Sequence, residues 1–222
     1  MKFRGLDPRT QLLRWGSFAL IVGLVLGITL PTTMQGLTNL WYTNSSTLPW
    51  VIERLFGFLA YFAIAGSVVY GLLLSTKILD AIAHRPITFS LHKDLALVGL
   101  GLVFIHALLL LLDNSVSFNL TQIAVPGLSP YNPVAVAAGQ ISLYLLAIIV
   151  LSFYVRKVIK QKTWRLLHYL TFLAYIGATV HGIAAGSDSG SWWAWTSYVT
   201  SLSAVVFLAT YRLSLVAAKR LT

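Results

Sequence analysis

The chain of 222 residues has no cysteine, and that one absence removes several chemistries. Disulfides, thiolate metal sites, Cys-ligated iron–sulfur clusters, covalently attached c-type haem and cysteine nucleophiles are all excluded. Acidic residues are nearly as scarce, six Asp and Glu against sixteen Lys and Arg, and charged residues of both signs make up only 10%. Soluble domains average about 25%. With 57% hydrophobic residues beside so little charge, the composition is that of a membrane protein. There is no low-complexity tract and no internal repeat.

What is there is a series of long apolar runs. A hydrocarbon core of ~30 Å takes ~20 helical residues to cross. Six runs qualify, covering roughly residues 12–31, 52–75, 91–112, 134–155, 164–185 and 193–216. The first follows Arg14, but the Thr29-Leu30-Pro31-Thr32-Thr33 segment at its end is no small-residue cleavage site, so it is read as a retained span rather than a signal peptide. Basic residues collect in short cytoplasmic loops. Of the sixteen, fifteen fall before span one, between spans two and three, between spans four and five, or at the end of span six, and only Arg54 falls on the other side, beside Glu53. The expected fold is therefore an all-α polytopic bundle of six transmembrane helices in one domain, residues 1–222, with both termini cytoplasmic. This topology accounts for the net charge of +10 without nucleic acid. The outer segment from Asp113 to Pro133 carries Pro126-Gly127 and Ser129-Pro130-Tyr131-Asn132-Pro133, turn chemistry that resists helix and is expected to cap the outer surface.

Ionisable residues within a membrane are costly and point to function. His84 sits in the Ala83-His84-Arg85-Pro86 loop and reads as an ordinary solvated residue. The other four histidines form a pattern: His92 and His106 lie on span three, His168 and His181 on span five. Fourteen residues advance a helix to within ~40° of four full turns, so His92 and His106 point to one side, ~21 Å apart in height. Spans three and five run in the same direction, which sets His92 level with His168 and His106 level with His181. Facing imidazoles at one depth suit the iron of a six-coordinate haem b, and two levels suit two haems. Gly99, midway between His92 and His106, leaves their common face without a side chain where a flat ring would approach; close helix packing is the plainer account of the same glycine. The thirteen-residue spacing on span five leaves His181 ~140° out of phase with His168, so that helix must tighten, bend, or present its rings from different sides. The competing reading is a cofactor-free transporter or scaffold whose histidines are satisfied polar contacts.

The two His pairs, with Ser129-Pro130-Tyr131-Asn132-Pro133 entering span four, Thr163-Trp164-Arg165-Leu166-Leu167-His168-Tyr169 opening span five, and His181-Gly182 followed by Ala185-Gly186-Ser187-Asp188 closing it, carry a family likeness. Over roughly residues 50–215 the chain resembles the ferric reductase-like transmembrane domain superfamily: ferric reductases, NADPH oxidases and the haem subunit of bacterial methionine sulfoxide reductase systems. The resemblance implies an inner haem b held by His92 and His168 and an outer one held by His106 and His181. It also implies an oxidoreductase component in a membrane, with the bacterial cytoplasmic membrane as the expected setting, passing electrons to an extracytoplasmic acceptor such as a metal ion, oxygen or a reductase. After span six the chain has only a few residues, so no dehydrogenase domain is expected, and Gly99-Leu100-Gly101 is no dinucleotide fingerprint. Electrons must then come from a separate flavoprotein, a bound flavin, or membrane quinol. The alternative within the family is a quinol-linked subunit of an extracytoplasmic reductase of the methionine sulfoxide type.

Among the remaining residues, Arg54 is placed to neutralise outer-haem propionates unless Glu53 pairs with it, and Arg85, Lys93 and Arg165 read first as positive-inside charges. Trp41, Trp50, Trp192, Trp193 and Trp195 read as an outer aromatic belt and Trp164 as an inner one. Asp113 and Asp188 read as solvated loop acids.

Overall fold

The structure is a computed structural model that describes residues 48–81, 84–113 and 116–221. Seven α-helices are found there, with two short 3-10 helices (Ile78–Ala81 and Leu110–Leu112): α1 (Leu48–Thr76), α2 (Arg85–Leu109), α3 (Leu120–Ala124), α4 (Pro133–Tyr154), α5 (Arg156–Ile159), α6 (Gln161–Ala185) and α7 (Trp192–Leu221). Five of them, α1, α2, α4, α6 and α7, are long and apolar enough to cross a membrane, and no strand occurs among the described residues. They correspond to the second to sixth expected spans; the first, 12–31, lies outside the described residues, as does Trp41.

The helix boundaries follow from local chemistry. α2 starts after His84, which is extended (φ −66°, ψ 122°), with proline in its first turn, where the missing N–H has no helical partner to lose. α4 starts at Pro133 after Asn132 in the left-handed region (φ 37°), a conformation asparagine tolerates better than most side chains. The segment between α2 and α4 departs from the expectation of helix-free turns. Asn119 and Gln122 form a reciprocal capping box, each side chain bonded to the other's backbone N–H, and this supports the five-residue α3. The segment is tied to the bundle at both ends. Gln140 Nε2 donates to Gln122 O and Ile123 O at 2.7 Å, Tyr144 bonds Ala124 O, and Asn132 Nδ2 reaches Ala184 O at 2.8 Å.

The packing gives the histidines their setting. α1 packs along α2, α4 along α6, and lighter contacts join α1 to α6 and α2 to α4. These four helices close a ring in which the His-bearing α2 and α6 lie on a diagonal. α7 covers α1 from outside the ring. The core, with Ile64, Val68, Leu72, Leu146, Val150 and Tyr175, fills the space between the helices, while large apolar residues such as Phe104, Leu151, Leu173 and Phe207 are more than half exposed. That inversion, apolar side chains outward with no charge to solvate them, is what a lipid solvent permits.

Candidate functional site

The first-helix pair is built on a strict register. A β-carbon placed on Gly57 would stand 3.0 Å from the His106 ring, one on Gly71 would stand 3.0 Å from the His92 ring, and one on Gly99 would stand 3.1 Å from Ile64 Cγ1. In each pair the two residue numbers sum to 163, so the antiparallel helices α1 and α2 meet in the same way every seven residues. Seven residues fall only ~20° short of two turns, which keeps all three contacts on one face. Gly57 and Gly71 thus form flat seats for the imidazoles, and Gly99 serves close packing between the two levels.

Each seated ring is also fixed in rotation. His92 Nδ1 donates to Ser67 O (2.7 Å) and His106 Nδ1 to Glu53 O (3.0 Å), each carbonyl lying four residues before the seat glycine. His181 repeats the device on α4: its Nδ1 donates to Ala135 O at 3.0 Å, and a β-carbon on Gly139, four residues on, would stand 2.7 Å from its Cγ. Because a carbonyl only accepts, Nδ1 carries the proton in all three, and in the neutral ring Nε2 keeps its lone pair. This is the tautomer of a histidine that ligates a metal through Nε2, with its second nitrogen held by an outer partner.

The rings meet in the expected pairs. His92 and His168 have ring centres 5.9 Å apart with planes at 84°, and His106 and His181 have centres 6.2 Å apart at 74°. With metal–imidazole bonds of about 2 Å and ring atoms about 1.2 Å from the centre, two imidazoles sharing one ion stand about 6.4 Å apart. The observed spacings fit. Among the described residues no three of His, Asp and Glu gather into a metal cage. The imidazoles come two by two.

The thirteen-residue spacing on α6 is accommodated without a break, since that helix is regular from Gln161 to Ala185. Its two rings leave in different directions. His181 lies on α4, whereas His168 stacks on Trp164 one turn earlier in its own helix (centres 5.1 Å apart, planes at 25°). A cleft opens at the His92–His168 level, lined by Phe89, Leu97, Phe153, Tyr154 and Trp164 with the two imidazoles.

Several sequence expectations change at the other residues. Glu53 turns to His106 rather than to Arg54: its Oε1 lies 2.9 Å from Nδ1. Arg54 instead pairs with Asp188 and lies over the Trp50 ring at 4.1 Å, so Asp188 is an ion-pair partner joining the α6–α7 connection to α1 and not a solvated loop acid. Trp164 is a stacking partner of His168 instead of a lipid-facing belt residue. Trp193 is buried against Phe58 at 4.7 Å, while Trp192 and Trp195 remain exposed as a belt requires. Arg85 pairs with Asp80 and Lys93 with Asp94. His84 is exposed.

Gly57, Gly71 and Gly139 are the site residues that sequence reasoning missed. The signal was present, because Gly57 and Gly71 repeat the fourteen-residue spacing of His92 and His106 on the neighbouring helix. Compared with known proteins, the chain matches no family model and no curated protein.

Proposed function

We propose that the protein is a dihaem b-type membrane electron-transfer component, resembling ferric reductase membrane domains, which carries electrons from a cytoplasmic or membrane donor to an extracytoplasmic acceptor. The observation that carries this reading is the two imidazole pairs at 5.9 and 6.2 Å, with three of the four Nδ1 atoms tied to backbone carbonyls. His92 and His168 would hold the inner haem, His106 and His181 the outer one. Each haem would supply a one-electron iron couple in a medium that excludes ions.

The chain's own residues do the rest. Gly57, Gly71 and Gly139 let the rings lie against helix backbone, so ligand geometry is set by rigid elements rather than loops. Ser67 locks the inner level from both sides, accepting from His92 Nδ1 and donating its hydroxyl to His92 O at 3.0 Å. The apolar shell of Ile64, Val68, Leu146 and Val150 keeps water from the space between levels. The two levels lie ~21 Å apart in height, which spans most of a ~30 Å hydrocarbon core. Arg54 stands beside Glu53 at the outer level, and its bond to Asp188 supports a role in holding that end of α1 in place.

Electron transfer of this kind needs no acid, base or nucleophile in the chain. The donor, a flavoprotein, flavin or quinol, and the acceptor, a metal ion, oxygen or a partner reductase, are to be identified by assay. Vesicles reconstituted with the haem-loaded protein test the direction: with donor on one side, a membrane-impermeant ferric acceptor enclosed on the other should be reduced. His106→Ala should abolish that transfer. Equal rates in protein-free vesicles would defeat the proposal.

A further inference from the structure

Three of the four imidazoles have a glycine seat and a carbonyl partner, and one has neither. On α2 the spacing of fourteen returns both histidines to the face that meets α1, whereas on α6 the spacing of thirteen turns His168 away from the face that meets α4. The α4–α6 register shows what His168 forgoes. Gly139 with His181 gives a sum of 320, and the same sum sets His168 opposite Ser152, a buried residue whose hydroxyl bonds Ile149 O at 2.7 Å. No glycine stands there, and no hydrogen bond to a ring nitrogen of His168 is formed among the described residues. What holds the ring is the stack on Trp164, whose own Nε1 is buried without a hydrogen-bond partner among those residues. A stack restrains the ring's tilt but gives neither ring nitrogen a hydrogen-bond partner.

We propose that His168 is the exchangeable ligand of the inner haem iron, and that a small uncharged ligand can take its place there. This rests on the haem reading above. Outer-shell partners of ligating histidines are worth about 10–100-fold in metal affinity, so the bond from His168 should be weaker than that from His92 by a factor of this order. The chemical class follows from the lining. Phe153, Tyr154, Trp164 and Leu97 offer an apolar approach, with Leu97 and Tyr154 49% and 60% exposed, and Lys93 adds a cation to the lining. A neutral, lipid-soluble ligand can reach the site along this apolar side.

Carbon monoxide is the probe. Full-length protein is purified with its haem, the haem is counted, and the dithionite-reduced protein is titrated beside His92→Ala and His168→Ala. The wild type should take up half as much carbon monoxide as it has haem. His168→Ala should keep both haems and bind carbon monoxide about 10-fold or more tightly, while His92→Ala should lose the inner haem and the uptake together. No uptake by the wild type, or uptake that survives in His92→Ala, would overturn the proposal. Because the wild-type stoichiometry is read by itself, a variant that fails to fold does not remove the test. A wild type that binds no haem would instead overturn the haem reading, and the initial count tells the two failures apart.

Discussion

A glycine is usually invisible in a functional argument, yet here the absence of a β-carbon decides where an imidazole can lie. At Gly139 an added methyl would stand 2.7, 2.8 and 3.0 Å from three atoms of the His181 ring, closer than carbon atoms approach, and the ring must leave its carbonyl. Gly139→Ala is therefore expected to lose the outer haem and keep the inner one, read as a fall from two haems to one. Gly71→Ala meets the His92 ring at 3.0 Å and should weaken the inner site less severely. Glu53 poses a different question, since its carboxylate lies 2.9 Å from His106 Nδ1. In a bound haem a carboxylate there would raise the basicity of the ligand and so favour ferric over ferrous iron. Glu53→Gln is expected to raise the outer midpoint potential by ~59 mV for each tenfold of stabilisation lost and to leave the inner one in place, measured by redox titration.

At the scale of elements, the α1–α2 pair behaves as one ruler with marks every seven residues. Gly57 with His106, Ile64 with Gly99, and Gly71 with His92 share a register, so disturbing the middle mark should be felt at both ends. Gly99→Leu would drive a side chain into Ile64 and force the helices apart, at a cost of about 1–3 kcal/mol. Haem at both levels should be lost more readily on heating, in contrast to the one-level effect of Gly139→Ala; loss at a single level would contradict the shared register. The histidine pairing was legible in the sequence because helix geometry fixes height from residue number alone. The seats were not read, because they lie on helices that carry no histidine and become visible only when the register is known. Likewise, α3 was hidden among turn residues, although Asn119 and Gln122 spell the capping box that forms it. The partners of Glu53, Arg54 and Asp188 could not be read either, since Arg54 and Asp188 stand 134 residues apart.

For the whole molecule, the basic residues of the α1–α2 and α4–α6 connections gather at one end, where Arg212 of α7 also approaches the Tyr169 ring at 5.9 Å. Arg54, Asp188 and the α2–α4 segment mark the other end. The proposed direction of electron flow requires the basic end to face the cytoplasm. The chain's lack of cysteine makes this directly testable: Lys160→Cys should react with a membrane-impermeant maleimide only after cells are opened, and Leu128→Cys in intact cells. The opposite labelling would reverse the orientation.

The central claim is that two imidazole pairs hold two haems. The measurement that tests it most directly is the reduced-minus-oxidised visible spectrum of the purified protein, with a pyridine haemochrome count per chain. The account expects b-type bands and two haems per chain. A folded protein that stays colourless after haem-supplemented expression would contradict it and return the four histidines to a transporter or scaffold.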